Sequence, residues 1–406
     1  MAESLPIGRN TAILAAVMAV YITVLSLAAA VLSLTFVLVT GFRSLLGLGP
    51  AIYLAASAVA ALPTGRAMDR FGRVPVIAVG FVLGSLGCLL TAAGTHWDST
   101  VGVIAGFILV GVSGAVTLLI RTAAGDMYPP ERRARGISLV LFGAIFGGIL
   151  GPAVFGPLFA GKDVAADTLT VPWLAAAGLS LVALALVLTV RPDTKVIAER
   201  IAARTETEGP APAAAPLGEI VRRPGVLPAM LAALASFAVM VSVMNLTGYV
   251  VVDHHHHSQG SVFPIIGAHV LGMYALVLVV GRLIDRIGRS TSLVAGLIVM
   301  AVSCAGLLGV SSVPKTAVLL FGLGLGWNLS FVSATAQLAD ATRPAERGKL
   351  LGLNDLLAGL TGAALALLGG IALDVLGVAA LAIGATLLAA APALLVFQLR
   401  GAEARA

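Results

Sequence analysis

Charged residues are scarce in this chain of 406 residues: Asp, Glu, Lys and Arg together make up 11%, where a soluble domain carries about 25%. Aromatic residues are also few, at 5%, and the only thiols are Cys88 and Cys304, both inside apolar stretches. The shortage of charge excludes an ordinary water-soluble fold, because a chain that is 59% hydrophobic would expose a large apolar surface to water. Two isolated cysteines exclude a disulfide framework. No G-x-x-x-x-G-K-[ST] loop occurs, which argues against direct drive by ATP.

What the chain has is apolar length. Its mean hydropathy is +1.04, and stretches of about 18 residues or more recur, each long enough to cross a bilayer as a helix. About twelve spans are predicted, at 11–38, 46–64, 74–94, 101–123, 137–160, 171–190, 227–252, 263–281, 291–311, 316–338, 350–371 and 376–398. The opening MAESLPIGRN runs into the first span without a clear cleavage site and reads as part of a retained helix, not a signal peptide.

The net charge of +6 does not point to a nucleic-acid partner, because the basic residues cluster in alternate loops. Arg66, Arg70 and Arg73, then Arg132, Arg133 and Arg135, then the stretch from Arg191 to Arg223, then Arg282, Arg286 and Arg289, then Arg343, Arg347 and Lys349 mark one side. The intervening loops hold only Arg43, Lys162 and Lys315. This is the positive-inside pattern. It predicts a multi-pass protein of the cytoplasmic (inner) membrane, in contact with lipid, with both termini and the basic loops in the cytoplasm.

The segment 191–226, rich in Pro, Ala, Glu and Arg, is too polar to cross and reads as a cytoplasmic linker with one short surface helix near Lys195 to Arg204. It separates an N-terminal bundle of six helices, 1–190, from a C-terminal bundle of six, 227–406. The halves echo each other. Gly65-Arg66-Ala67-Met68-Asp69-Arg70-Phe71-Gly72-Arg73 follows span two, and Gly281-Arg282-Leu283-Ile284-Asp285-Arg286-Ile287-Gly288-Arg289 follows span eight, 216 positions later. Internal duplication is a common plan of secondary transporters. A softer echo places Asp126 before Pro129-Pro130-Glu131-Arg132-Arg133 and Asp340 before Pro344-Ala345-Glu346-Arg347.

The repeated G-R-x-x-D-R-x-G-R pattern, with the twelve spans and the central linker, resembles the major facilitator superfamily over the whole chain. The resemblance implies an all-α membrane protein of two pseudo-symmetric six-helix bundles that rock to give alternating access, with no catalytic chemistry and no cofactor. It also implies a gating role for Asp69, Arg73, Asp285 and Arg289, which stabilise the outward-open state in that family. Span five carries Gly147-Gly148-Ile149-Leu150-Gly151-Pro152-Ala153-Val154-Phe155-Gly156, similar to the family's G-x-x-x-G-P-x-x-G-G motif of antiporters with Phe155 in place of a glycine. A packed and bent helix explains the same residues. The arginine that such families place midway along span four is missing; Arg121 lies near the cytoplasmic end instead.

Five of the six histidines fall between 240 and 273. Met240 and Met244 lie four apart in span seven, His269 and Met273 four apart in span eight, so each pair shares a helix face. A loop of about ten residues joins the two spans, which are expected to be antiparallel neighbours; at about 1.5 Å rise per residue Met244 lies roughly 12–14 Å below that loop and His269 and Met273 roughly 9–15 Å, so a three- or four-ligand site of sulfur and nitrogen is geometrically possible. Thioethers and imidazole suit copper, and an ionisable group inside a span points to function. A histidine bonded to a neighbouring helix and methionines filling the core are the alternative. Between the spans, Asp253 and His254, His255, His256 and His257 could capture metal, or form a solvated turn or a pH-sensitive latch. Asp355, about two turns into span eleven, is the candidate for proton coupling.

The M-x-x-x-M and H-x-x-x-M pair, with Ala268-His269-Val270-Leu271-Gly272-Met273 and Gly326-Trp327-Asn328, resembles the CcoA-type bacterial copper importers. That resemblance implies a ligand role for Met240, Met244, His269 and Met273, a copper ion as cargo, and supply of copper for haem–copper oxidase assembly. The leading expectation is a monomeric copper importer delivering to a cytoplasmic copper chaperone. The alternatives are an importer of an organic nutrient such as riboflavin, with Trp327, Tyr249, Phe263 and Asn328 as cavity groups, a proton-driven drug exporter, and a membrane metal or pH sensor.

Overall fold

The computed structural model of the chain describes residues 5–129, 132–160, 162, 165–205, 215–342 and 344–403. Its helices are α1 (Ile7–Thr40), α2 (Leu48–Phe71), α3 (Arg73–His96), α4 (Thr100–Leu118), α5 (Ile120–Asp126), α6 (Arg133–Phe159), α7 (Ala166–Val187), α8 (Thr194–Thr205), α9 (Leu217–Val221), α10 (Val226–Tyr249), α11 (Val262–Tyr274), α12 (Val277–Ile287), α13 (Arg289–Gly306), α14 (Val313–Asp340) and α15 (Pro344–Glu403). No strand occurs among the described residues. Helices alone suit this composition, since each satisfies its own backbone hydrogen bonds where no water is present.

Among the described residues, ten helical segments are long and apolar enough to cross a membrane. Two features bring the number of crossings to the expected twelve. First, α15 is interrupted at Gly377 (φ 81°). A Cβ on Gly369 would lie 3.2 Å from a methyl of Leu381, whereas twelve residues of straight helix would separate them by about 18 Å, so the chain turns back on itself. Second, span eight is two pieces, α11 and α12, broken at Ala275 and Leu276.

Span four is broken too, between α4 and α5, where the Leu119 amide turns to the Val116 carbonyl at 3.1 Å and tightens the last turn. Neither break is marked in the sequence by a proline.

Within the first half α1 packs on α6 and α7, and α3 on α4 and α7. Within the second, α10 packs on α15 and α14, α11 on α14, and α13 on α14 and α15. The halves meet where α1 touches α10, α2 touches α15 and α6 touches α11. These seams use small residues, as expected where lipid gives helices no hydrophobic reason to associate and close approach supplies the attraction. A Cβ on Gly248 would overlap the Ala30 carbonyl, and one on Gly47 the Ala366 carbonyl. A Cβ on Gly267 would lie 2.8 Å from the Gly148 oxygen. Ser33 donates to the Asn245 carbonyl at 3.2 Å and Gln259 to the Ala30 carbonyl at 3.3 Å. All of these contacts lie toward the histidine-bearing end, where they hold the two halves against each other.

At the opposite, basic end the internal repeat is visible in the backbone. Gly72 (φ 95°) and Gly288 (φ 88°) each join two consecutive helices in a left-handed conformation that favours glycine. The linker is docked there. Its helix α8 matches the expected one, and Asp193 just before it accepts from the backbone amides of Arg73 at 3.1 Å, Val74 at 2.8 Å and Lys195 at 2.8 Å. Near its other end Arg223 grips the fully buried Glu346 through two nitrogens, at 2.7 and 3.0 Å.

Candidate transport site

Buried polar groups gather along the seam between α11 and α14. His269 is fully buried, and its Nδ1 lies 2.8 Å from the Leu320 carbonyl oxygen. A carbonyl only accepts, so Nδ1 carries the hydrogen and Nε2 keeps a bare lone pair. That Nε2 is buried and has no hydrogen-bond partner. An imidazole held in one tautomer by a backbone carbonyl is oriented to offer its other nitrogen to a ligand.

One turn further, Asn328 donates its side-chain amide to the Met273 carbonyl, beside the break between α11 and α12, while its Oδ1 is buried without a partner. The two helices approach this closely because Gly272 faces the Phe321 carbonyl and Gly324 faces the His269 carbonyl, each leaving no room for a Cβ.

Aromatic rings continue the seam. Tyr274 meets Trp327 edge to face at 6.4 Å, Trp327 stacks on Phe331 at 5.2 Å with their planes 15° apart, and Phe331 meets Phe237 of α10 at 6.1 Å. The Trp327 indole Nε1 is buried and unpartnered. Asn354 of α15 is fully buried with neither amide atom bonded. Its neighbour Asp355 pairs with Arg121 of the first half at 3.2 Å.

Met240, Met244 and Met273 are all buried, as expected. The expected pairing of spans seven and eight is weaker than the loop length suggests. The main neighbours of α10 are α15, α14 and α1, whereas α11 lies chiefly against α14 and α6. Glycine contacts draw the two helices apart: Gly362 of α15 against Val241 and Phe237 of α10, and Gly324 of α14 against α11.

Among the described residues no three His, Cys, Asp or Glu side chains gather as a metal site. In the histidine run, the His257 Nε2 lies 2.6 Å from the Ser311 carbonyl, tying the two loops together, and His256 adopts φ 55°. His255 packs into a pocket with Val243, Thr247, Leu307 and Thr316. Burial there, with the neighbouring histidines, holds its pKa below the usual imidazole value.

The Arg73 Nε lies 2.9 Å from Asp126 and the Arg289 Nε 3.0 Å from Asp340. The side chains of Asp69 and Asp285 lie outside the described residues.

Against known proteins, the Major Facilitator Superfamily description matches residues 10–268 and 254–405. The chain belongs to the Major Facilitator Superfamily. It is 32% identical over 336 residues to the uncharacterized MFS-type transporter YdeG of Bacillus subtilis, covering 81% of this chain and 77% of that protein. It is 31% identical over 299 residues to the riboflavin transporter RfnT of Brucella anthropi, covering 73% of this chain and 72% of that one. In three dimensions it is similar to the xylose transporter XylE of E. coli in a partially occluded inward-open conformation, at TM-score 0.71 and 16% identity, covering 96% of each chain.

Membership of the superfamily makes this a multi-pass membrane transporter of all-helical fold. The nearer resemblance to copper importers finds no support in the named relatives. Two parts of the site had no full reading from sequence. Trp327 and Phe331 stand four apart on one helix face, a signal that was present but easily taken for core. Arg121 and Asp355 are 234 positions apart, and nothing in local pattern joins them.

Proposed function

We propose that this superfamily member is a secondary-active importer of a planar aromatic solute of the flavin class, working by alternating access across the cytoplasmic membrane. The carrying observation is the row Tyr274–Trp327–Phe331–Phe237 beside buried, unpartnered polar atoms on Trp327, Asn328, His269 and Asn354. The stacked Trp327–Phe331 pair presents a flat apolar face, and each aromatic pair of the row contributes about 0.5–1.5 kcal/mol beyond burial. A buried polar atom left unpaired costs about 1–3 kcal/mol, a cost that a heteroaromatic ligand with its own donors and acceptors removes. The riboflavin transporter among the relatives supports the same class.

The test is uptake of labelled riboflavin into proteoliposomes under an inward proton gradient. Wild type accumulates flavin, and Trp327→Ala lowers the rate about tenfold, the loss expected for one stacking contact and one hydrogen bond. Flavin at background level with wild type sinks the reading.

A second reading, copper import, is favoured by the free Nε2 of His269 in the buried neighbourhood of Met273. Copper would be cargo held by His269 and Met273 of α11, with Met240 and Met244 of the more distant α10 joining as the helices rearrange, since thioethers bind Cu(I) without adding charge to the membrane. Copper uptake that needs His269, with flavin uptake at background, would put this reading in place of the first.

A further inference from the structure

Of the ion pairs formed between described side chains, Arg121 with Asp355 is the one that crosses from one half to the other. The pairs Arg73–Asp126 and Arg289–Asp340 stay within a half, and Arg223–Glu346 fastens the linker. Arg121 lies on α5, two residues beyond the break in span four, and Asp355 on the first part of α15. Their 3.2 Å contact is 35% exposed on the arginine side and 43% on the aspartate side. A pair so open to water adds little stability, yet charges within spans are costly to place. The combination points to use by a solute.

The surroundings say which kind. Asp355 lies two turns before Gly362 on the same face of α15, about 10 Å along the helix, and a Cβ on Gly362 would lie 3.5 Å from the Phe237 ring, so the pair stands beyond the Phe237 end of the aromatic row. The Arg121 hydrogen bond to Asp355 comes from one nitrogen of a fork that offers five donors. Next to Asp355, Asn354 is fully buried with both amide atoms unpartnered. On α5 the other charge, Asp126, is held by Arg73. The helices packed on α5 and α15 carry titratable or charged groups of their own, among them Tyr21 on α1, Tyr53 on α2, and Lys195, Glu199 and Arg200 on α8.

We propose that Arg121 is the receptor for one carboxylate or phosphate on the planar solute, and that Asp355 is the counter-ion the solute displaces. This rests on the aromatic-solute reading above and narrows the class to planar anions. A guanidinium matches a carboxylate with two parallel N–H bonds, which a single aspartate contact does not provide. Once displaced, the Asp355 carboxylate loses its cation and takes one proton from the aqueous side, becoming a neutral acid. One proton then moves with each monoanion. When the solute leaves, the proton leaves too, the ion pair re-forms, and the two halves are joined again at the basic end.

The test is binding to the purified full-length protein, read by quenching of tryptophan fluorescence. Two probes are compared: a flavin bearing a carboxymethyl arm, and the same flavin with that arm as a neutral carboxamide. Wild type binds the acid about tenfold more tightly than the amide, the size expected for one charge-assisted contact. Arg121→Gln removes the difference, and Arg121→Lys restores part of it. Asp355→Asn tightens the acid, because its competitor is gone, and removes the pH dependence of acid binding. A wild-type ratio near one, a ratio unchanged in Arg121→Gln, or binding of neither probe overturns the proposal. Riboflavin uptake by wild type, measured separately, reports on the underlying reading: uptake with no acid preference rejects the anion receptor alone.

Discussion

The guanidinium of Arg73 reaches from the start of α3 to the carboxylate of Asp126 at the end of α5, 2.9 Å away, and lies 15% exposed against 21% for its partner. Its counterpart in the second half, Arg289 with Asp340, has nearly the same length, 3.0 Å, but is 35% and 59% exposed. The duplicated loop therefore closes on the softer acidic echo in each half. The loop arginine and the turn aspartate are one device, present twice and buried unequally.

That inequality predicts unequal stability. Asp126→Asn lowers the stability of the purified protein by about 1.5–3 kcal/mol, the range for a hydrogen bond to a charged group in a shielded setting. Asp340→Asn changes it by about 1 kcal/mol or less, as for exposed pairs. Thermal unfolding in one detergent measures both. An Asp340→Asn protein that melts as low as Asp126→Asn contradicts the ordering.

The fold was legible because its determinants are local. Twelve spans follow from apolar length, the two halves from the nine-residue repeat, and the surface helix α8 from the polar linker. The site was legible only in part. His269 stood out as an imidazole in a span, and its burial and free Nε2 bear on that importance without naming its ligand. The partners of each helix are set by close backbone approach, such as Gly324 on His269 and Gly248 on Ala30, and periodicity does not encode which glycine meets which carbonyl. The Arg121–Asp355 contact exists only because α5 and α15 are brought together by the other seams.

The glycine seam makes a prediction about conformation. With Gly248→Leu, the side chain would collide with the Ala30 carbonyl, and a backbone carbonyl on a packed helix has nowhere to move. The histidine end then stays open. A Ser33→Cys reporter, buried in the closed state at 2% exposure, reacts with an external thiol reagent in the Gly248→Leu background and stays protected without it, while transport is lost. Equal protection in both backgrounds rules out the seam as the outer gate.

The linker clamp is testable by a double-mutant cycle. Asp193→Ala removes the acceptor for three backbone amides and costs about 0.5–2 kcal/mol, as for other helix caps. Gly72→Ala forces a side chain into φ 95° and places its Cβ 2.8 Å from the Asp193 carboxylate. Backbone strain of that kind costs about 1–3 kcal/mol. Because the carboxylate contributes part of the second penalty, the double variant loses less than the two singles together. Strict additivity in melting experiments would show that Gly72 is required for its backbone angle alone.

His269 separates a structural from a functional role by the way its losses divide. Its Nδ1 hydrogen bond to the Leu320 carbonyl belongs to the fold, whereas its bare Nε2 offers nothing to the fold. Replacing it with leucine removes both; the Leu320 carbonyl keeps its own helical partner within α14, so the loss is that of one hydrogen bond, about 0.5–1.5 kcal/mol of stability. His269→Asn keeps a donor that can reach toward the carbonyl but removes the Nε2 lone pair. A purely structural histidine predicts that asparagine restores transport together with stability. A ligand-facing histidine predicts that asparagine restores the melting temperature while substrate affinity stays about tenfold weaker, one lost hydrogen bond in a dry site. Measuring KM for flavin beside copper uptake in the same variant then tells which solute the lone pair serves: a raised KM for flavin assigns it to flavin, and a fall in copper uptake assigns it to copper.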